Sequence, residues 1–192
     1  ALDYVNRMAP TDARLFDPRR VMFALDHYSG APTPSTVAFH DDVRAFALKH
    51  GAELHEIGEG ISFQIAAERG RAIPGDLVIG ADSHTVTCGA LNAFATGVGS
   101  SDLAAAMLTG RIWLRVPETI KVMLLGERPF GVAAKDVALA LVAELGAEGA
   151  NYRTLEFHGS GIRHFSLDER LVVSNLAVEA GAKAAIFPCD WE

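Results

Sequence analysis

The hexapeptide Gly80-Ala81-Asp82-Ser83-His84-Thr85 directly follows the apolar run Asp76-Leu77-Val78-Ile79, which is typical of a buried strand. A carboxylate, a hydroxyl and an imidazole therefore stand side by side where a strand ends. In open α/β sheets, ligands bind just beyond the carboxyl ends of the strands. The pattern predicts a functional site here. The alternative is local: the aspartate caps the following turn and the histidine hydrogen-bonds to it.

Strand-like and helix-like patterns alternate along the rest of the chain. Strands are expected at 21–25, 53–57, 76–79, 120–125, 152–158 and 184–187, and helices at 35–50, 61–69, 100–111, 134–145 and 166–181. Ser100 or Ser101 is expected to cap the third helix, and Ser166 with Glu169 forms a capping box for the last. The alternation predicts an α/β fold, layered α/β/α, with a mainly parallel sheet.

The composition excludes several classes of protein. The 192 residues include 17 basic and 24 acidic side chains, a formal net charge of −7, and no Lys/Arg cluster, which argues against a nucleic-acid binder. No apolar run approaches the length of a membrane span, and no pattern of n-region, h-region and cleavage site opens the chain. We therefore expect a soluble, cytoplasmic protein without nucleic-acid or membrane partners.

A second polar pair, Asp26-His27, follows the strand expected at 21–25. A carboxylate beside an imidazole fixes its tautomer and favours its protonated form, which suits a general acid near neutral pH. Two such pairs in one cleft predict proton transfer on a small polar substrate. The alternative is again that the aspartate caps a turn and the histidine satisfies it locally.

Asn175 and Glu179 lie four residues apart on the last helix and therefore share a face. Because their neighbours are apolar, this polar stripe is a candidate to project into the same cleft. The alternative is an ordinary solvated face that also carries Ser174 and Lys183.

Weaker signals favour structural roles. Gly97-x-Gly99-x-x-Asp102 does not directly follow an expected strand, so we interpret its small residues as allowing close packing rather than phosphate binding. The two cysteines are too far apart for a metal clip, and Cys88 and Cys189 are both expected to be buried and unreactive. A thiol hydrolase using Cys88 with His84 is a weaker alternative. The remaining histidines lack metal-ligand spacing.

Long stretches of the sequence resemble the large, catalytic subunits of the 3-isopropylmalate dehydratases and homoaconitases in the aconitase superfamily. The matching stretches are LDH at 25–27, GEGISFQIAAERG at 58–70, GADSHTVTCGALNAFATGVGSSDLAAAMLTGRIWLRVPETIKV at 80–122, LEFHGSGI at 155–162 and SNLAVEAGAKAAIFP at 174–188. The resemblance covers roughly residues 19–190, in order, and its DSHT block is specific.

This resemblance implies reversible dehydration of a hydroxy di- or tricarboxylic acid such as isopropylmalate, within leucine biosynthesis. It implies a 4Fe-4S cluster with one open iron in the complete protein, and a small, swivelling-domain partner subunit. By position, the implied catalytic residues are Asp26 paired with His27, His84 paired with Glu179, and Asp82 and Ser83 in the same pocket. The residues implied to lie near substrate or cluster are Gln64, Thr85 and Asn175.

The chain also departs from the family pattern. Phe63 stands where the resemblance implies a histidine paired with Asp82, so Asp82 is expected to lack an imidazole partner. The resemblance implies three cluster cysteines, which would lie beyond residue 192, so this chain alone is expected to hold no metal and to be inactive. We expect an aconitase-like domain at 1–165 and the truncated start of another at 166–192. The alternative is a non-catalytic relative without a cluster, which binds a small acid or a partner subunit.

Overall fold

Every strand pairing in the described part of the chain is parallel, which confirms the predicted α/β class. The computed structural model describes residues 2–8, 14–28, 30 and 33–190. The strands form three small sheets: β1 (Met22–Ala24) with β2 (Glu53–His55); β3 (Leu77–Gly80) with β4 (Phe94–Gly97); and β5 (Glu118–Met123), β6 (Arg153–His158) and β7 (Ala184–Ile186), in that order.

Six α-helices accompany these strands in the described residues: α1 (Leu2–Met8), α2 (Pro34–His50), α3 (Ser62–Glu68), α4 (Ser100–Thr109), α5 (Ala134–Leu145) and α6 (Leu167–Leu176). The Ser166–Glu169 capping box is confirmed. The predicted serine cap of α4 is wrong: Gly99 is the N-cap, and Ser100 and Ser101 are the first two helical residues. No described helix has the length and apolarity that crossing a membrane requires.

The sequence patterns missed α1 and β4. Strand β4 has the sequence Phe-Ala-Thr-Gly, which lacks the β-branched, alternating pattern that marks a strand. It forms because its backbone pairs along the whole of β3, from Leu77 with Phe94 to Gly80 with Gly97. Ala93, Ala95 and Thr96 are buried as a result.

The chain divides into two compact units, one made of residues up to Ile65 with Gly99–Leu114, the other of Ala66–Val98 with the residues from Arg115 onward. The first unit contains the β1–β2 sheet with α1, α2 and α4. Its core consists of Val5, Leu15, Phe46, Ala104 and Met107, with Val21 and Phe23 packed against it.

The second unit is built on the three-stranded sheet, one face of which packs on α5 and α6. Leu155 and Phe157 of β6, Val173 and Ala177 of α6, and Ala138 of α5 form its core. The rings of Phe157 and Phe187 stack with centroids 4.2 Å apart. The domain boundary expected at residue 165 falls inside this unit, where β7 pairs with β6; that division of the complete protein stays a prediction.

Candidate active site

The hexapeptide at residues 80–85, which we call the polar turn, lies at the carboxyl end of β3, as the sequence predicts. After Gly80, the last residue of β3, Asp82 becomes the N-cap of a 3₁₀ helix, Ser83–Leu91, which we call the site segment. The turn packs tightly on the end of β4: a methyl group at Gly97 would lie 2.8 Å from the carbonyl oxygen of Asp82 and 2.8 Å from Ser83 Cα. The small residues after the turn therefore permit close packing, as we interpret them above.

His84 lies between two carboxylates of the second unit. Its Nδ1 is 3.2 Å from Asp82 Oδ1, and its Nε2 is 3.7 Å from Glu179 Oε1. The first distance permits a hydrogen bond, whereas the second is longer than a direct one. His84 is about one third exposed, with 36% of its side-chain surface open to solvent. The His84 ring therefore lies between the Asp82 carboxylate on the turn and the Glu179 carboxylate, which follows α6.

The expectation that Asp82 lacks an imidazole partner is wrong, because the His84 ring lies within hydrogen-bond distance of its carboxylate. Asp82 Oδ1 also accepts a hydrogen bond from the His84 backbone N–H at 2.7 Å, which is the capping interaction of the site segment. The cap brings the ring two residues later beside the same carboxylate. The local capping alternative is therefore correct for Asp82, and the acid–base role of the pair stays a prediction.

The polar stripe on α6 contacts the site segment. Asn175 Nδ2 donates a hydrogen bond to Thr87 Oγ1 at 2.9 Å. Ser174 is fully buried and donates to the Ala185 carbonyl on β7 at 3.0 Å. Glu179 lies in the 3₁₀ turn Ala177–Ala180 that follows α6. The alternative of a solvated face is therefore wrong for Ser174 and Asn175, although the Glu179 side chain is exposed.

The backbone of the site segment approaches the backbone of β7 closely at Gly89. A methyl group at Gly89 would lie 1.9 Å from the Ala185 carbonyl oxygen, so only glycine fits at this approach. Phe187 N–H donates to the Gly89 carbonyl at 3.0 Å, and Asn92 Nδ2 donates to the Phe187 carbonyl at 2.7 Å. These contacts with β7 and Phe187 therefore fix the position of the site segment relative to the three-stranded sheet.

Ser83 and Thr85 have different environments within the turn. Ser83 is exposed, whereas Thr85 is buried and donates its hydroxyl to the Asp82 carbonyl at 2.6 Å. Thr85 therefore closes the turn. Gln64, the third residue of α3, belongs to the first unit and is half-buried. The roles of these three residues stay predictions.

Asp26 and His27 form a close pair in the first unit. His27 Nδ1 is 2.7 Å from Asp26 Oδ1, and the Ser62 N–H donates to Asp26 Oδ2 at 2.8 Å. Burial raises the pKa of Asp26, but the hydrogen bonds from His27 and Ser62 outweigh it, so that pKa lies below its ordinary value. That this pair faces the same cleft as His84 stays a prediction.

Replacing Asp26 by Asn is expected to lower the free energy of unfolding at pH 7, because the amide lacks the charge that His27 and Ser62 stabilise. The lowered folded pKa means that this stabilisation is fully present above the unfolded pKa, about 3.9, and is lost as the pH falls through the folded value. Urea midpoints should therefore differ above about pH 4 and converge below it. Asp41→Asn, on an exposed pair with Arg44, is the control with little effect; a gap that persists when the pH falls well below 4 would contradict the assignment.

His55 forms a second histidine–carboxylate cluster in the first unit that the sequence did not single out. The ring is buried, with Nδ1 2.9 Å from Glu59 Oε2 and Nε2 2.8 Å from Glu53 Oε1. His40 is also buried, with Nε2 3.1 Å from the His27 carbonyl. These contacts agree with the structural roles expected for both histidines.

The cysteines of this chain do not fit an iron–sulfur cluster. Cys88 is buried, and desolvation raises the pKa of its thiol to about 11. That pKa keeps the thiol protonated, which also counts against a thiol hydrolase. Cys189 is exposed, so the expectation that it is buried is wrong: the chain leaves the core after Phe187. Two cysteines are fewer than the three implied for the cluster, and no metal-ligating group of three side chains occurs in the described ranges.

The family of the chain follows from comparison with known proteins. The aconitase family, described as aconitate hydratase, matches residues 32–192. This chain belongs to the aconitase family. The sequence-based resemblance is thereby confirmed, and the site segment, α6 and β7 all lie inside the matched region.

Three related proteins show how much of an aconitase-family chain is present. The chain is 44% identical over 178 residues to the 3-isopropylmalate dehydratase large subunit 1 of Methanopyrus kandleri, covering 92% of this chain and 43% of that protein. It is 48% identical over 179 residues to the large subunit of Elusimicrobium minutum, covering 92% and 42%. It is 48% identical over 182 residues to large subunit 2 of Archaeoglobus fulgidus, covering 94% and 42%. The chain thus spans about two fifths of the length of these relatives.

Proposed function

We propose that this chain supplies part of the acid–base machinery of an aconitase-family hydro-lyase. The observation that supports the proposal most directly is His84, whose ring lies between Asp82 on the polar turn and Glu179 beyond α6. These two elements come from distant parts of the sequence, and a structural capping role explains the Asp82 contact but not the approach of Glu179.

In a dehydration, a base takes a proton from carbon, the carbon–oxygen bond breaks, and the oxygen leaves as water only if it gains a proton. The base is proposed to lie elsewhere in the complete protein. A histidine held by carboxylates is suited to give the oxygen its proton. We assign the transferred proton to His84 Nε2, because Nδ1 lies against Asp82. Glu179, 3.7 Å from Nε2, is placed to stabilise the charged ring and to accept or return the proton.

Asp26 and His27 are proposed as a second pair for the same reaction. The charged Asp26 carboxylate holds His27 at Nδ1, which fixes the tautomer and leaves Nε2 as the nitrogen for proton exchange. The exposed Ser83 hydroxyl is proposed as a hydrogen-bond donor to a substrate carboxylate.

The complete protein is proposed to carry a 4Fe-4S cluster, which when bound supplies a Lewis acid for the substrate hydroxyl and carboxylate. Because the cysteines of this chain do not fit that group, its ligands are proposed to lie elsewhere in the complete protein. Gln64, Thr85 and Asn175 are proposed to lie near substrate or cluster. This chain alone is proposed to be inactive.

The substrate is proposed to be a hydroxy di- or tricarboxylic acid. The relatives named above are dehydratases of 3-isopropylmalate, which supports that acid as the first candidate and leucine biosynthesis, in the cytoplasm, as the setting. Their designation as large subunits supports a small-subunit partner.

The proposal is tested by assaying the complete protein, purified anaerobically with its partner subunit, for reversible hydration of C5–C7 unsaturated diacids. We expect turnover of at least one of them, and none by residues 1–192 alone after treatment with iron and sulfide. A loaded complete protein that turns over none of these acids contradicts the proposal.

A second candidate function is a non-catalytic relative that binds a small acid or a partner subunit. Phe63 favours it, because phenylalanine can neither donate nor accept the proton that the family's histidine would handle. A reading frame that encodes a cysteine and a later Cys-x-x-Cys after this region supports the enzyme, whereas a stop codon there supports the binding protein.

A further inference from the structure

Thr87 connects the site segment, which carries His84, to α6, the helix that precedes Glu179. Its side chain is only 2% exposed. Its hydroxyl donates to the His84 carbonyl oxygen at 2.6 Å and accepts from Asn175 Nδ2 at 2.9 Å. The hydroxyl proton of Thr87 is therefore used in the bond to the His84 carbonyl, and a lone pair of Thr87 Oγ1 accepts the bond from Asn175 on α6.

The position of this hydroxyl matters because His84 and Glu179 lie on separate elements. His84 is on the site segment, whereas Glu179 follows α6, and their side chains are 3.7 Å apart. A shift of one element past the other changes that distance directly. The bond from Asn175 to Thr87 joins the two elements three residues from His84 and four residues from Glu179.

The site segment and α6 pack directly against each other, and both also contact β7. Gly89 approaches the backbone of β7, and Ser174 donates to the Ala185 carbonyl of the same strand. The backbone of His84 donates to Asp82 Oδ1 within the turn. The Thr87 hydroxyl adds a bond that runs from the backbone of His84 to the Asn175 side chain on α6.

We propose that Thr87 is a positioning residue, whose hydroxyl sets the separation and orientation of His84 relative to Glu179 through Asn175. The inference rests on the proposed hydro-lyase function and deepens it. Thr87 itself touches no reacting atom in this assignment.

The test compares Thr87→Val, which keeps the shape and removes the hydroxyl, with Thr87→Ser, which keeps the hydroxyl. In the complete protein with its partner subunit, we expect Thr87→Val to lower kcat by about 100-fold with KM little changed, because misplacement of a reacting group by about 1 Å has effects of this size. Thr87→Ser should stay within about threefold of the wild type, since its hydroxyl restores both bonds. Thr154→Val is the matched control, a 3% exposed threonine on β6 outside the site.

A readout that does not need activity is the ¹⁵N NMR spectrum of the His84 ring in the same complete protein, assigned by comparison with His84→Gln. Thr87→Val should move the ring resonances, whereas Thr87→Ser and Thr154→Val should not. Asn175→Leu breaks the same link from the other side, so its shift and that of Thr87→Val should not add in the double variant.

The outcomes separate the two proposals. An inactive wild-type complex contradicts the hydro-lyase function, and the NMR comparison still decides the role of Thr87. Unchanged His84 resonances in Thr87→Val, or fully additive shifts in the double variant with Asn175→Leu, overturn the positioning role. If Thr87→Val does not fold, Asn175→Leu alone decides: moved resonances support the role, and unmoved ones overturn it.

Discussion

Replacing His84 by Gln is expected to lower kcat of the complete protein by about 1000-fold. General acid–base groups contribute about 10²- to 10⁴-fold to catalysis, and glutamine keeps the size and polarity of the side chain without a transferable proton. Because the ring stands between Asp82 and Glu179, its loss removes the function of both carboxylates at once. The measurement is steady-state hydration of the best substrate, together with circular dichroism to verify folding.

The second unit offers a matched control for this experiment. His158 Nε2 lies 3.6 Å from Glu156 Oε2, almost the same separation as between His84 and Glu179, with similarly exposed side chains. His158→Gln and Glu156→Gln should leave kcat unchanged, whereas Glu179→Gln should lower it. Equal losses in both pairs would mean that the effect is structural, and would contradict the assignment of His84.

Gly89→Ala is expected to destabilise the protein by about 3 kcal/mol or more, at the upper end of the cost of overpacking a core. The added methyl would lie 1.9 Å from the Ala185 carbonyl oxygen, and the obstacle is backbone, which no rotamer change relieves. The site segment and β7 must therefore move apart. Urea unfolding followed by circular dichroism measures the loss, and reduced activity of the folded fraction would report the displaced turn.

Gly30→Ala makes the same chemical change in open space, with nothing within 4 Å of the new methyl. Gly89 does not have a left-handed φ, so the cost of its substitution comes from steric contact and not from backbone strain. The control should be neutral or slightly stabilising, because alanine narrows the unfolded ensemble. A Gly89→Ala variant as stable as Gly30→Ala would contradict this prediction, because it would show that β7 moves away from the site segment at little cost in free energy.

Much of the fold was predictable because its elements carry strong local signals. Three local signals each specify an element without tertiary contacts: the apolar run at 21–25, the glycine stop of α2 at Gly51 and the capping box at Ser166. Strand β4 was not predictable in this way. Its four residues form a strand only because β3 lies alongside, and that pairing is invisible in a local pattern.

The site was predictable to a similar extent. Asp82 and His84 were identified from residue type and position at a strand end, and Glu179 was linked to His84 through family resemblance. The contact of Asp82 with His84 was missed because the pattern does not show that the capping geometry turns the ring back. Thr87 was missed because a buried threonine carries no signal in sequence; its partner Asn175 lies 88 residues further along the chain.

The backbone contact between Gly89 and Ala185 has a consequence for transplanting this chemistry into another scaffold. If side chains held the polar turn in place, it could be grafted with only its nearest neighbours, because side-chain rotamers would readjust in the new protein. Here the position of the turn is set by contact between the backbone at Gly89 and the backbone of Ala185. A portable unit therefore includes the hexapeptide, the segment through Gly89, the end of β4 at Gly97 and strand β7 together, whereas residues 80–85 alone would keep their sequence and lose their position.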